Sequence, residues 1–465
     1  MSWKLQLNFL KFSFYGLLIT LPLGTNFRSL LYLSDIFLVL FLFARISGYR
    51  TVYLGNRFSL VALLFFAALS TVFAFSAPIA AYGFVRLCIL VFLTLSLARN
   101  IKAGMPTLKT IAILIGSSAV VQSLIAFFQF LRQSDLGLRI LGESILGANI
   151  SGVAEVVING GKVMRAYGTF PHPNVLAAFL ILGLISLYYV WFNNLRIYLP
   201  AACLPVGMGR QGIWNLFRIS CFGFGIFAIL LGLLLTFSRT AWVIAAAATL
   251  ALILYCLLVR RGSPQVNRQY RIQGLRLLVL VVTASAALYF NFQDFIVSRA
   301  RVSVAEPSVQ LRLTYNKMGV DIIKNNPAGV GIGNQVDFSA ASGLYEKFGL
   351  TESWQRQPIH NLYLLVGSEI GIFGLIAFAA FLFKILLRAK NIFPAVMLLS
   401  LLAFGLTDHF LWTIQQGRLM LWLVVGIVMG VLRPLSSMDR ISPSEGGDAG
   451  SIPAEGTIKW TNNPS

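Results

Sequence analysis

Charge of either sign is scarce in this chain. Only 11% of its 465 residues are charged, and it has 16 acids, three histidines and four cysteines. Each shortage excludes something. The histidines, His172, His360 and His409, have no second histidine at i+3 or i+4, and no HExxH or Cys/His cluster occurs, which argues against a zinc site. No Gly-x-Ser-x-Gly elbow offers a serine nucleophile. The paired carboxylates of a glycoside hydrolase have no obvious counterpart. Cys88, Cys203, Cys221 and Cys256 fall in apolar runs or on one side of them, so a disulfide framework is not indicated. An internal repeat, the mark of a transporter built from related halves, is also missing.

What the chain has instead is apolar length. It is 57% hydrophobic with a mean hydropathy of +0.78, more apolar surface than soluble cores could hide. Twelve runs have the character of membrane-spanning helices: about 8–25, 30–45, 58–75, 79–98, 110–131, 174–192, 217–237, 240–259, 277–291, 361–383, 392–408 and 417–432. The expectation is an all-α, polytopic helical membrane protein. The first run lacks a small-residue cleavage site and reads as a retained span.

An even number of spans with both ends inside puts most of the basic residues on the inner side. The only acids there are Asp439, Glu445, Asp448 and Glu455 in the tail. Positive-inside bias therefore accounts for the formal charge of +21 without nucleic acid. Residues 1–432 form the transmembrane domain, and 433–465, rich in Ser, Pro, Gly and Asn, read as a disordered cytoplasmic tail.

Two connections are long, 132–173 and 292–360, and both fall outside in this topology. Long loops are usually functional or disordered. The second carries Leu311, Tyr315, Met318 and Ile322 at helical spacing, the stripe of an amphipathic helix lying on something apolar. "PAGVGIGN" (Pro327–Asn334) then breaks it.

Outer-side arginines have no topological reason to be there. Arg239, in "LLLTFSRTAW", stands where spans seven and eight meet, and Arg312 opens the amphipathic helix. Snorkelling to headgroups would explain the first and a solvated helix face the second. A diphosphate would also favour arginine, whose charged planar fork binds phosphate oxygens in pairs. His360 is the strongest acid–base candidate, because a neutral imidazole can take a proton from an attacking hydroxyl and nearby arginines help keep it neutral. An interfacial histidine anchoring its span is the plainer alternative. Asn361 serves either reading as a helix cap.

Glu369 lies about 180° around the helix from His360, so it is given a structural or orienting role, pairing with an arginine or capping another helix. His172 is presented rigidly between two prolines in "RAYGTFPHPNVLAAF", which suggests binding. His409, beside Asp408, is the runner-up base.

Four of these stretches together resemble the O-antigen ligase family. They are "TFSRTAW" with Arg239, "QLRLTYNKMGVDIIKNNPAGVGIGN" with Arg312, "HNLYLLVGSEIGIFG" with His360 and Glu369, and, more loosely, "YGTFPHPNVLAAF" with His172, preceded by Arg165. The resemblance covers about residues 165–410. It implies a GT-C-like integral-membrane glycosyltransferase of the bacterial inner membrane, with its site on the periplasmic face and no cofactor or metal. The implied donor is a polyprenyl (undecaprenyl) diphosphate-linked glycan and the implied acceptor lipid A-core, giving an inverting transfer.

The implied roles are His360 as base, Arg239 and Arg312 as diphosphate ligands, and Arg165 and His172 as substrate-binding groups. A polysaccharide polymerase with the same donor chemistry, acting on a growing glycan, is the alternative. A transporter or flippase for the lipid-linked glycan is the reading from another class. The expected lack of charges near the span midplanes counts against the flippase.

Overall fold

The computed structural model describes residues 3–24, 26–27, 31–46, 57–148, 150–158, 160–194, 210–258, 264–300 and 306–432. The expected tail, 433–465, lies outside them, as does Cys203. The described residues form sixteen α-helices and two small hairpins: α1 (Trp3–Thr20), β1 (Asn26–Phe27), β2 (Leu31–Tyr32), α2 (Leu33–Ile46), α3 (Arg57–Val72), α4 (Ala77–Lys102), α5 (Leu108–Arg132), β3 (Glu155–Ile158), β4 (Gly161–Met164), α6 (Pro173–Asn194), α7 (Arg210–Leu235), α8 (Arg239–Leu258), α9 (Pro264–Ala300), α10 (Pro307–Asn325), α11 (Gln335–Ala341), α12 (Leu344–Lys347), α13 (Leu362–Leu387), α14 (Ile392–Phe404), α15 (Phe410–Thr413) and α16 (Gln415–Gly430). Both hairpins are antiparallel, with Asn26 opposite Tyr32 and Glu155 opposite Met164.

Every apolar run picked out in the sequence contains a helix, although α1 ends at Thr20 and α14 at Phe404, short of the expected 25 and 408. Six of the helices (α4, α5, α6, α8, α9 and α13) are long and apolar enough to cross a membrane, and four further apolar helices are shorter. The chain is thus an all-α membrane protein. Helix starts follow local chemistry. Thr107 Oγ1 accepts from Thr110 N at the head of α5, Asn391 Oδ1 from Phe393 N at α14, and Pro307 opens α10 behind Glu306.

Helix α6 is the central post. Its apolar window is 94% buried, against 17% for the peripheral α9, because an all-round apolar helix with flanking neighbours on every side is stable only in the middle. It packs on α5, α7, α8 and α14, and its N-terminus presents Asn174 and, just before it, His172 at one end of the bundle.

Two sequence expectations need correction. The second long loop does not begin at 292: α9 runs on to Ala300, with only Phe292 departing from helical geometry (φ −129°, ψ 25°). Polar residues at the helix end look loop-like in composition but are stabilised as a continuation of the span. Nor are the spans free of charge. Arg86 lies well inside α4 and pairs with Asp35 at the head of α2 (3.3 Å), while Gln415 donates to the same carboxylate (2.5 Å) and accepts from Arg86. Tolerance of these charges comes from mutual pairing across three helices, which adjacent sequence could not reveal.

The amphipathic stripe is realised in α10, which buries Tyr315, Met318 and Ile322 and packs on α13. Helix α13 itself is broken at Gly371 (φ 77°, ψ 171°). Into that break comes the "PAGVGIGN" segment: Val330 N donates to Ser368 O (2.9 Å), Gly331 N to Glu369 O (2.9 Å) and Ile372 N to Pro327 O (3.1 Å). Gly329, Gly331 and Gly333 all have positive φ, and a Cβ on Gly329 would overlap the Glu369 carbonyl oxygen. The glycines are there so that one backbone can enter another helix's gap.

Candidate functional site

The long loops and the heads of α6, α8, α10, α13 and α15 converge at one end of the bundle, and the polar side chains gather there. Asn361 caps α13, its Oδ1 accepting from Tyr363 N (3.0 Å) and Leu364 N (3.1 Å), while Nδ2 donates to Leu406 O (3.2 Å). This fixes His360 at the helix mouth. The imidazole stacks on Tyr315 of α10 (ring centroids 5.1 Å apart, 15° between planes) and meets His409 edge to face at 4.8 Å.

His360 Nδ1 lies 2.9 Å from Pro358 O. Since a carbonyl only accepts, Nδ1 carries the proton and Nε2 keeps its lone pair. Burial pulls the His360 pKa down to about 4, with His409 and Arg312 acting in the same direction and Asp408 opposing them. The ring is therefore neutral at pH 7, and burial outweighs the arginines that the sequence reading credited.

His172 has the opposite tautomer. Its Nδ1 accepts from Asn174 N (3.1 Å), leaving Nε2 as a proton donor. Its pKa is lowered to about 3, chiefly by burial and then by Arg165. Asn174 Nδ2 donates to Asp408 Oδ2 (2.8 Å), and Asn174 Oδ1 accepts from Arg165 Nη2 (2.9 Å). Asp408 also accepts from His409 N (2.8 Å). Its pKa stays below the usual carboxylate range despite burial, because His409, His172 and His360 surround it. His409 Nδ1 lies 2.7 Å from Thr413 Oγ1, and burial lowers its pKa as well.

Beside the histidines is a group of guanidiniums. Arg165 is buried, with Nε donating to Thr236 O (2.7 Å), and burial pulls its pKa to about 9, aided by Arg299 and Arg312. It still carries charge at neutral pH. Arg239 forks onto Glu306 (2.8 and 3.0 Å), which Arg299 also approaches at 3.5 Å. Arg299 Nε donates to Phe237 O (3.2 Å). Phe237 is a buried non-glycine residue at φ 49°, a left-handed conformation of the kind that accumulates at functional sites. Arg312 has no hydrogen bond or ion pair among the described residues. Four arginines thus crowd around two carboxylates, an arrangement ready to receive further negative charge.

Of the residues singled out from sequence, Arg165, His172, Arg239, Arg312, His360 and His409 come together. Glu369 does not join them. It is buried within the bundle, bonded to Trp412 Nε1 (2.7 Å) and to the backbone N–H groups of Gly333 and Gln335 at the head of α11. Of the two partners proposed for it, the observed one is another helix's terminus.

Sequence reasoning did not place Arg299, Glu306, Tyr315 or Asn174 in the site, although Tyr315 was read as part of the amphipathic stripe. An acid directly before Pro307 was a usable signal for Glu306 at a helix start. The pairing of Asn174 with Asp408, far apart in the chain, had none. Among the described residues no group of three His, Cys, Asp or Glu side chains could hold a metal ion.

Residues 224–379 match the model of a family described as O-Antigen ligase. The resemblance drawn from sequence motifs is borne out over that stretch, which includes Arg239, Arg299, Glu306, Arg312, His360 and Glu369. Arg165, His172, Asp408 and His409 lie outside it. No curated protein matches the chain.

Proposed function

Taking as premise that residues 224–379 are those of the O-antigen ligase family, we propose that this membrane glycosyltransferase of ligase or polymerase type moves a glycan from a polyprenyl diphosphate to an acceptor hydroxyl, most directly on lipid A-core. On this reading the twelve apolar runs of the sequence all cross the inner membrane in a GT-C-like arrangement, with the histidine-bearing end in the periplasm. One observation carries the proposal: a neutral His360 with a free Nε2 stands against a group of arginines at the mouth of the bundle.

Negative charge builds on the diphosphate as the C1–O bond of the donor sugar breaks. Arg312, Arg239 and Arg299 stabilise it there, and Glu306 holds two of these forks in place before substrate arrives. His360 Nε2 takes the proton of the acceptor hydroxyl as that oxygen attacks C1 from the opposite face, which inverts the anomeric centre. A base whose pKa is about 4 in the free enzyme is weak, but a bound diphosphate raises it by attraction. His172, whose Nε2 carries the proton, supplies a donor hydrogen bond to substrate oxygen. An apolar groove of about 390 Å3 between α7, α8 and α9, lined by Leu234, Trp242, Val281 and Leu288 among others, starts three residues beyond Arg239 and suits the polyprenyl chain.

The test is transfer in proteoliposomes containing purified protein, polyprenyl diphosphate-linked repeat unit and lipid A-core, with EDTA present. Glycan joined to lipid A-core supports the ligase. Longer lipid-linked glycan without conjugation would indicate the polymerase. Movement of the donor across the membrane with no new glycosidic bond would replace both readings with a flippase.

A further inference from the structure

At the end of the bundle opposite the histidines, α6, α8 and α16 finish and α9 and α14 begin. These helix ends enclose a cavity of about 530 Å3, lined by Tyr189, Asn193, Tyr255, Tyr270, Lys390 and Phe393, among others, a size usual for small-molecule sites. Its walls are firmly set. Tyr189 meets Phe393 edge to face, with ring centroids 5.4 Å apart, and Phe192 stacks on Tyr270 at 6.4 Å with 24° between planes. At the mouth, Ala389 and Leu432 form an antiparallel backbone bridge, which holds the next residue, Lys390, beside the end of α16. Asn391 Oδ1 is taken up in capping α14, accepting from Phe393 N (3.0 Å).

The polar side chains of this cavity are open to a ligand. Lys390 is exposed and has no ion pair or hydrogen bond among the described residues. The Tyr189 and Tyr255 phenols make no hydrogen bond among the described residues either, and their oxygens remain accessible. An ammonium and two phenols are thus available as donors, and Lys390 stands at the positive end of the α14 dipole.

Nothing nearby neutralises this charge. Residues 99–109, 264–276 and 384–392, which form this end of the bundle, each carry three Lys or Arg and no Asp or Glu. A topological bias would place basic residues here. It does not call for a cavity, nor for unpaired phenols sharing that cavity with a lysine. These donors suit an anion with several acceptor oxygens, which a phosphodiester supplies. Phe192, Ile392 and Leu432 also line the cavity, so hydrocarbon lies next to the anion site, and the helix ends put it at the boundary of the membrane. An amphiphile fits both.

We propose that this cavity binds the phosphate of an anionic membrane phospholipid, tying together the ends of α6, α8, α9 and α14. The site is separate from the histidines and arginines and does not depend on the transfer reading.

The test follows thermal unfolding of the delipidated full chain in detergent as phosphatidylglycerol, phosphatidylcholine or inorganic phosphate is added. Lys390→Gln and Tyr189→Phe are compared with Lys109→Gln, which removes the same charge from an exposed position at the same end but outside the cavity. The expected result is a saturable rise in Tm with phosphatidylglycerol, whose half-saturating concentration increases about fivefold or more in Lys390→Gln and about threefold or more in Tyr189→Phe. Lys109→Gln should stay within twofold of wild type. An equal loss in Lys109→Gln would mean that the whole basic face attracts the lipid, and would overturn the proposal. So would an equal response of the wild type to phosphatidylcholine. The same stabilisation by inorganic phosphate at equal concentration would replace the lipid with a free anion.

Discussion

Single residues set the chemistry through their protonation. His360 and His172 have folded-state pKa values of about 4 and about 3, below the ~6.5 of a free histidine. Between those values the unfolded chain binds more protons than the native one. Stability is therefore full above about pH 6.5 and falls as pH drops through that window. Thermal unfolding in detergent should show this decline, and His172→Asn should lessen it. For activity, the acid limb of kcat/KM, which reports the free enzyme, should lie near His360's value of about 4, and that of kcat should lie higher once the diphosphate is bound. Arg239→Lys keeps the charge but loses the fork, so donor KM should rise about tenfold or more. A change under twofold would make Arg239 a lipid-headgroup anchor. The sequence named most of these residues because histidines and outer arginines are so rare here. It could not give their tautomers, which depend on the Pro358 carbonyl and the Asn174 amide.

At the scale of elements, the meeting of α13 with the 327–334 segment joins the second loop to the membrane helices. Gly371 at φ 77° has Ala328 backbone atoms within 2.9 Å of where a Cβ would go. Gly371→Ala should destabilise the protein by about 2 kcal/mol or more, read as a lower Tm and faster proteolysis around α10. Unchanged stability would mean that the break in α13 can be closed at little cost. This joint was half legible. The glycine-rich run announced a chain break, and Glu369 announced a buried polar role. That the two meet was hidden, because the segment contributes only backbone groups to the contacts, to α13 carbonyls and to the Glu369 carboxylate, and so leaves no paired side-chain pattern. The extension of α9 to Ala300 was lost for a related reason: composition signals where a span leaves the apolar layer, not where its helix ends.

Across the whole molecule, periodicity and apolar length were enough to find every membrane-length helix among the described residues, and motif order was enough to find the family. The depth of burial of α6 and the Asp35–Arg86–Gln415 network were not available, since they depend on which helices become neighbours. Orientation is open to direct test. In a cysteine-free background, Glu346→Cys, on the histidine-bearing end, should react with an impermeant maleimide in intact spheroplasts. Lys390→Cys, at the opposite end, should react only after permeabilisation. The reverse pattern would place the arginines in the cytoplasm and remove the reason for an exported donor.

The most direct measurement separates binding from transfer in His360→Ala. Donor affinity and single-turnover transfer to lipid A-core are determined on the same nanodisc preparation, beside Arg312→Ala. We expect His360→Ala to bind polyprenyl diphosphate-linked glycan within twofold of wild type and to transfer it about 10²–10⁴ times more slowly, while Arg312→Ala loses donor affinity. Transfer by His360→Ala at near wild-type rate would contradict its role as base and turn attention to His409.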